Sequence, residues 1–240
     1  AISDNAVYAV SRDRNGGIWA GTFFGGINYY SKENARFKKY YPIPNTNSIS
    51  GSAVREITAD NDGNLWIGTE DAGINKFNPK SEIFTNYTTT NNTNGISYPN
   101  IHGLLVVGNS LFVGPFFHGL EMMDIRNGQI TNRFRYIGEK GDNLSDFVLS
   151  LHLSKDKTLF VGTAYNGSGL FTYNLNQKKF TRIKEIPYDT YVLTITEDSK
   201  GNICTGSMSQ VSYFYNPKTN KSGNILLGDK DSDDFPVYGI

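Results

Sequence analysis

The 240-residue chain lacks the features that mark several protein classes. Its single cysteine, Cys204, excludes an internal disulfide and a metal site built from several cysteines. The 23 Lys and Arg residues balance the 23 Asp and Glu residues, so the formal charge is zero. This balance gives no reason to expect nucleic acid as a partner. No apolar run approaches the ~20 residues that a membrane-spanning helix requires.

Aromatic residues and glycine are plentiful instead. Phe, Tyr and Trp make up 13% of the chain, and there are 25 glycines. Aromatic side chains are enriched in β-strands, and glycine supplies the backbone conformations of tight turns. This composition favours short strands joined by turns over helices.

An internal repeat dominates the sequence. An apolar tetrapeptide is followed by a polar turn and then by an apolar-aromatic-x-Gly segment. The tetrapeptide recurs after 47, 47, 47, 44 and 45 residues, and a period of this size indicates a repeat architecture. The tetrapeptides begin at Val7, Val54, Ile101, Val148, Val192 and Val237, and the glycines are Gly21, Gly68, Gly114, Gly162 and Gly206.

Each period contains four predicted strands. In the second period they cover Val54–Ala59, Leu65–Thr69, Ile74–Phe77 and Ile83–Tyr87, separated by turns rich in Asp, Asn, Gly and Pro. Four strands in about 45 residues is the arrangement of a β-propeller blade. We therefore predict an all-β fold of four-stranded antiparallel blades. Trp19, Trp66, Phe112 and Phe160 should fill the wedges between blades, and the glycine should allow close approach.

About five blades fit into the chain, and we expect them to be part of a larger, seven-bladed propeller. The predicted blade boundaries are approximately 5–46, 52–95, 99–142, 146–188 and 190–232, and residues 235–240 would form the first strand of a further blade. An open arc of blades would expose apolar faces at both ends. Closure of the five units into a ring is the alternative.

The repeat resembles the two-component regulator propeller repeat. Its consensus here is V-x-x-I-x-x-D-x-x-G-x-L-W-I-G-T-x-x-G-G-I-x-x-F-N-P, with the best matches at Asp13–Ile27 and Asp60–Pro79. An Ile-Ser or Leu-Ser pair precedes four of the repeats. The resemblance implies seven-bladed propellers in the periplasmic sensor region of hybrid two-component histidine kinases. There the usual signal is an oligosaccharide released from a glycan.

From this resemblance we expect a periplasmic module that senses a glycan-derived oligosaccharide. The kinase parts would lie outside this chain. The implied partners are the oligosaccharide, the remaining blades and the downstream receptor domains of the same protein; a homodimer is compatible with this interpretation. A protein-interaction scaffold is the alternative function.

With the four strands of a blade lettered A to D in chain order, the B-to-C loops and the D-to-A loops are expected to share one face of the propeller. Aromatic residues beside Asn, Asp and Glu in such loops suit sugars, which stack on rings and bond through hydroxyls. The structural alternatives are that the paired phenylalanines plug the blade ends, that the acidic loop pair is solvated, and that Arg55 pairs with Glu56 or with an acid of a neighbouring blade. The candidate ligand-binding residues are Phe23, Phe24, Arg55, Glu70, Asp71, Tyr98, Phe116, Phe117, His118, Tyr165 and Asn166.

Enzymatic motifs are missing from the sequence. The Asp-box of sialidase propellers, Ser-x-Asp-x-Gly-x-Thr-Trp, fails at its aspartate, where Arg14 and Asn61 stand instead. We find no paired carboxylates suited to glycoside hydrolysis, no phosphate-binding loop, no nucleophile elbow and no metal-ligand spacing. We therefore predict no catalysis, no metal and no cofactor in this segment. A propeller lyase or glycosidase remains a less favoured alternative, because one fold hosts many functions.

Overall fold

The structure is a computed structural model that describes residues 2–32, 37–89, 95–138, 144–208 and 211–226. These residues form twenty strands, arranged in five antiparallel sheets of four strands. Each sheet is one blade, and its strands neighbour one another in chain order. Within the described ranges no helix is long and apolar enough to cross a membrane. The predicted strand at 235–240 lies outside the described residues.

The strand bounds follow the repeat. Blade 1 consists of β1 (Val7–Arg12), β2 (Ile18–Thr22), β3 (Gly26–Tyr30) and β4 (Phe37–Tyr40). Blade 2 consists of β5 (Val54–Ala59), β6 (Leu65–Thr69), β7 (Ile74–Asn78) and β8 (Ile83–Tyr87). Blade 3 consists of β9 (Ile101–Val107), β10 (Ser110–Pro115), β11 (Leu120–Asp124) and β12 (Gln129–Phe134). Blade 4 consists of β13 (Val148–Leu153), β14 (Leu159–Thr163), β15 (Leu170–Asn174) and β16 (Lys179–Arg182). Blade 5 consists of β17 (Val192–Glu197), β18 (Ile203–Ser207), β19 (Val211–Asn216) and β20 (Lys221–Leu226).

The prediction of four strands per period is confirmed. In blade 2 the bounds of β5, β6 and β8 agree with those predicted, and β7 continues one residue further, to Asn78. Two compact units make up the chain: Ala1–Pro115 with Glu121–Arg133, and Phe116–Leu120 with Phe134–Ile240. The first unit contains blades 1 and 2 and most of blade 3. The second contains blades 4 and 5 and the B-to-C loop of blade 3.

Tryptophan fills the space between consecutive blades in the first unit. Trp19 of β2 is buried against blade 2, with its ring centroid 5.3 Å from that of Phe77. Trp66 of β6 is buried in a cluster with Ile101 and Leu111 of blade 3. In the second unit Phe160 of β14 packs in the same way with Ile203 of blade 5. The predicted wedge role is therefore confirmed for Trp19, Trp66 and Phe160, and Phe112 is fully buried on β10.

The repeat glycine touches the apolar residue that opens the next repeat. A Cβ atom on Gly21 would stand 2.3 Å from Cγ1 of Val54, and one on Gly68 would stand 2.8 Å from Cγ2 of Ile101. In the second unit a Cβ on Gly162 would stand 2.7 Å from Cγ1 of Val192. All three distances are too short for real Cβ contacts. The repeat glycine of one blade and the apolar residue that opens the next repeat are therefore in contact, and for this reason they recur with the same period.

The first strand of every blade contains a β-bulge. In blade 2, Val54 pairs with Thr69 and Glu56 pairs with Gly68, so Arg55 is left as the extra residue. The same shift occurs at the same repeat position in the other four blades. A bulge redirects the side chain of the extra residue and bends the strand. The bulged residues are Tyr8, Arg55, His102, Leu149 and Leu193.

Candidate functional site

The first unit has an aromatic and charged cluster where β1, β5 and two B-to-C loops meet. We call Tyr8, Phe23, Phe24, Arg55 and Glu70 the ion-pair cluster. Phe24 is 71% exposed and Tyr8 is 42% exposed. The ring centroids of Tyr8 and Phe23 are 5.2 Å apart, and those of Phe23 and Phe24 are 4.2 Å apart. An apolar ring surface is thus open to solvent beside a charged pair.

Arg55 is paired within its own blade. Its Nη1 donates to Oε1 of Glu70 over 2.8 Å, and the guanidinium carbon lies 5.6 Å from the centroid of the Tyr8 ring. The predicted alternative of a pair with Glu56 is wrong, because the bulge turns Arg55 towards the loop that carries Glu70, the acid that it contacts. The alternative of a solvated acidic loop is also wrong for Glu70, whose side chain is only 22% exposed.

Two further ionisable residues lie beside the ion-pair cluster. Although Glu56 as a residue is only partly buried, the loss of solvent around its carboxyl group raises its pKa to about 8, and the charge of Arg55 opposes this shift. Burial lowers the pKa of His102 to about 3, and the positive charge of Arg55 acts in the same direction. At neutral pH both groups are therefore mainly uncharged. The charges beside the rings are those of Arg55, Glu70 and Asp4, whose Oδ2 accepts from the N–H of Phe24 over 2.9 Å.

Two other predicted residues of the first unit have different surroundings. Both oxygens of Asp71 face the blade 2 entry loop: Oδ2 accepts from the Ser52 N–H over 2.9 Å, and Oδ1 stands beside Gly51. Asp71 thus ties the B-to-C loop to the segment before β5. Tyr98 lies in the segment before β9, where its ring is exposed.

The second unit presents a continuous aromatic surface. The aromatic cluster consists of Phe116, Phe117, Phe147, Tyr165 and Tyr191. Ring centroids are 4.2 Å apart for Phe116 and Phe147, 4.9 Å for Phe147 and Tyr165, and 5.3 Å for Tyr165 and Tyr191. Phe117 also contacts Phe147 at 5.1 Å and Tyr165 at 5.5 Å. Phe147 is buried, whereas Phe117 and Tyr165 are 42% and 46% exposed.

The exposed rings of the aromatic cluster sit on an unusual backbone. Phe117 and Tyr165 both have φ of 59°, in the left-handed region that bulky residues rarely adopt. Such conformations cost about 1–3 kcal/mol each and concentrate at functional sites. The fold therefore holds these two rings outward in spite of an unfavourable backbone conformation. The predicted residues Phe116, Phe117 and Tyr165 are brought together.

Polar groups flank the aromatic cluster. His118 Nδ1 lies 3.5 Å from Nη1 of Arg135, and Nη2 of Arg135 lies 3.6 Å from Oδ2 of Asp146. Asn166 follows Tyr165 and is exposed. The structure thus places donors and acceptors beside the exposed rings.

A pocket of about 450 Å³ adjoins the aromatic cluster through Tyr191. It is formed by the segment before β17 and by the end of β18. The guanidinium of Arg182 stacks on the exposed ring of Tyr188, with its carbon 4.3 Å from the ring centroid. The lining residues are Pro187, Tyr188, Asp189, Thr190, Tyr191, Ser207, Met208 and Tyr213.

Sequence reasoning did not select several of these residues. Tyr8 and Glu56 are absent from the predicted set, as are Arg135, Phe147 and Tyr191. An alignment of the repeats contains a signal for Glu56: the residues opposite the repeat glycine are otherwise small or uncharged. That series is Ala9, Glu56, Gly103, Ser150 and Thr194.

Comparison with known proteins matches this architecture. The family model described as "Two component regulator propeller" matches residues 1–24 and 48–71. These two segments carry the two-component regulator propeller repeat. The resemblance predicted from the sequence is therefore confirmed. The matched segments cover the start of blades 1 and 2, including both tryptophan-containing strands. No curated protein sequence matches the chain.

Solved structures show that the fold class is a β-propeller. The extracellular domain assigned to the hybrid two component system BT3049 of B. thetaiotaomicron is 23% identical, with a TM-score of 0.76, over 92% of this chain and 30% of that one. The extracellular domain assigned to the hybrid two component system BT4673 of the same organism is 20% identical, with a TM-score of 0.73, over 93% of this chain and 31% of that one. PorZ, a surface component of the type-IX secretion system of Porphyromonas gingivalis, is 12% identical, with a TM-score of 0.66, over 90% of this chain and 33% of that one. The chain thus spans about a third or less of each of these structures.

Proposed function

We propose that the chain is the ligand-sensing propeller of an extracytoplasmic receptor and recognises a glycan-derived oligosaccharide. The observation that carries this proposal is the aromatic cluster with its polar flank. Phe117 and Tyr165 expose nearly half of their surface, yet both lie against the buried Phe147. The rings are therefore preorganised rather than free to collapse onto the protein.

This combination suits a sugar better than most small molecules. One face of a pyranose ring presents C–H groups that stack on an aromatic ring, and its edge presents hydroxyls that need donors and acceptors. The aromatic cluster offers the ring surface on which the C–H face can stack. Donors and acceptors for the hydroxyls lie at the margin of the cluster, on Arg135, Asp146 and Asn166.

The comparisons support the cellular setting of the proposal. Two of the similar structures are described as extracellular domains of hybrid two component systems. By analogy we place this chain in the periplasm, as part of a longer receptor with further blades and a histidine kinase. Ligand binding would favour one of two receptor arrangements and so bias kinase activity.

The test is calorimetric titration of the full-length extracytoplasmic protein with a panel of oligosaccharides. Phe117→Ala and Tyr165→Ala should weaken binding of the responding sugar by roughly tenfold or more each, since aromatic contacts contribute about 0.5–1.5 kcal/mol beyond the area they bury. Tyr41→Ala is the matched control, because Tyr41 is similarly exposed but lies in the first unit. Unchanged affinity in both aromatic variants would remove the site assignment.

A protein-interaction scaffold is the second candidate. Exposed aromatic residues are also common anchors in protein interfaces. This function would be supported if no sugar in the panel bound while a defined protein partner did, with Phe117→Ala reducing that protein affinity.

A further inference from the structure

We propose that Tyr8, Arg55 and Glu70 form a subsite for an uncharged sugar residue and disfavour one that bears a carboxylate or sulfate. This inference rests on the proposed function and adds a second place of contact with a stated chemical preference. The residues belong to the first unit, whereas the aromatic cluster belongs to the second. The subsite and the aromatic cluster can therefore be tested by separate substitutions, each of which leaves the other site unchanged.

The β-bulges place a distinctive side chain at this subsite. Among the five bulged positions, the two in the second unit are leucines, Leu149 and Leu193. The packing of the blade therefore does not require a cation at this position. Arg55 is nevertheless held there by Glu70 and by the ring of Tyr8.

The ion pair keeps bonding capacity for a ligand. Nη1 of Arg55 donates to Oε1 of Glu70, and the side chains are 15% and 22% exposed. A guanidinium carries several further N–H donors, and a carboxylate accepts through two oxygens. Two neighbouring sugar hydroxyls can then accept from Arg55 and donate to Glu70 at the same time. Such charge-assisted bonds are stronger than bonds between neutral groups.

The exposed ring of Tyr8 completes the subsite. It lies under the guanidinium carbon of Arg55 at 5.6 Å and beside Phe23 at 5.2 Å. A sugar ring that bonds the ion pair with its hydroxyls would rest its C–H face on this aromatic surface. The subsite thus pairs an apolar platform with one donor group and one acceptor group.

The local charge balance gives the preference for an uncharged ligand. Arg55 and Glu70 cancel each other, and Glu56 and His102 are mainly uncharged at neutral pH. Asp4, which accepts from the N–H of Phe24, adds a further negative charge. A ligand carboxylate would find no uncompensated cation and would approach the carboxylate of Glu70. A like charge at this distance weakens binding, whereas a neutral diol does not disturb the pair.

The experiment compares a neutral oligosaccharide with its uronic-acid counterpart, by calorimetry on the full-length extracytoplasmic protein. The neutral sugar should bind at least about tenfold more tightly. Glu70→Gln should weaken binding of the neutral sugar by roughly tenfold and narrow the preference, because it replaces a charged acceptor by a weaker neutral one and removes the repelling charge. Arg126→Gln removes one member of an exposed ion pair with Asp124 and serves as the control; its affinities should match those of the wild type.

The outcomes separate this inference from the proposed function. If sugar binding depends on Phe117 but is unchanged in Glu70→Gln and Tyr8→Leu, the subsite is refuted and the proposed function stands. Tighter binding of the uronic-acid oligosaccharide than of the neutral one by the wild type also refutes the subsite. If no sugar binds at all, both are refuted. Tyr8→Leu keeps an apolar side chain at an exposed position, so it tests the ring contact even if a Glu70 variant folds poorly.

Discussion

Replacing Glu56 by glutamine should change how the stability of the protein depends on pH. The carboxyl group loses solvent on folding, and its pKa rises from an ordinary 4.5 to about 8. A folded-state pKa above the unfolded value means that the folded state holds the proton more tightly. Glu56 therefore favours folding below pH 4.5, and this contribution is lost as the pH rises towards 8. The amide of the Glu56→Gln variant does not ionise and carries no such dependence.

The expected magnitude follows from the two pKa values. One pH unit corresponds to about 1.4 kcal/mol, so the gap between 4.5 and about 8 sets an upper limit of about 5 kcal/mol. Because Glu56 retains some solvent contact and Arg55 opposes the shift, we expect about 1–3 kcal/mol. The Glu56→Gln variant should gain this much stability relative to the wild type between pH 4.5 and pH 8.5.

Urea unfolding of both proteins at several pH values measures this difference, and all other titrating groups cancel in the comparison. Glu82→Gln is the control, because it removes a carboxylate of an exposed ion pair with Lys38. A stability difference between Glu56→Gln and the wild type that stays constant with pH would refute the burial argument. So would a variant that becomes less stable, relative to the wild type, as the pH rises.

Three further stability changes follow from contacts within the first unit, and urea unfolding measures each. Gly68→Ala should lower the free energy of unfolding by about 1–3 kcal/mol, because the added Cβ would stand too close to Ile101. Adding Ile101→Ala to this variant should cost less than Ile101→Ala costs in the wild type; additive losses would contradict the close contact. Trp66→Phe should lose about 1–3 kcal/mol, because Oδ2 of Asp60 loses the indole N–H and keeps only the Asn64 amide as a donor; no change would contradict this. Asn75→Ala should lose about as much, since its Oδ1 accepts from the N–H and the hydroxyl of Ser50 in the segment that leads into β5; an unchanged midpoint would contradict that role.

The repeat made most of the fold predictable. The period located every first strand, and in blade 2 the predicted bounds of β5, β6 and β8 match the structure. The glycine and the apolar residue of the next repeat keep one period because they touch in the fold, as Gly68 and Ile101 do. A contact that recurs between consecutive blades can be recognised in the sequence, because the residues at a given repeat position have equivalent neighbours in each blade.

The candidate sites were less predictable because they depend on departures from the repeat. The bulge adds one residue to the first strand of each blade, and an alternating pattern gives no sign of it. Sequence analysis therefore selected Arg55 but proposed the wrong partners, and it did not select Tyr8. The aromatic loop residues were recognised by their composition. The buried Phe147 that supports them was not, because its contacts come from loops distant in sequence.

Glu121 replaces an asparagine of the repeat but keeps the hydrogen bond that the asparagine makes to the segment before the blade. In blades 1 and 2 an asparagine on the third strand accepts from the N–H of the entry serine: Asn28 from Ser3 over 2.9 Å and Asn75 from Ser50 over 2.8 Å. In blade 3 Glu121 accepts from Ser97 over 3.2 Å and also pairs with Arg133. In blades 1 and 2 the serine hydroxyl also bonds to the asparagine side chain, over 2.7 Å for Ser3 and 2.9 Å for Ser50, which accounts for the serine of the Ile-Ser lead-in there.

Saturation-transfer NMR on an oligosaccharide bound to the full-length protein tests the central claim most directly. Saturation applied to aromatic protons should pass most strongly to C–H groups on one face of a sugar ring, because Phe117 and Tyr165 present a stacking surface. The transfer should be lost in the Phe117→Ala, Tyr165→Ala double variant and retained in Tyr41→Ala. Equal transfer in the double variant and the wild type, or no transfer from any sugar, would contradict the account.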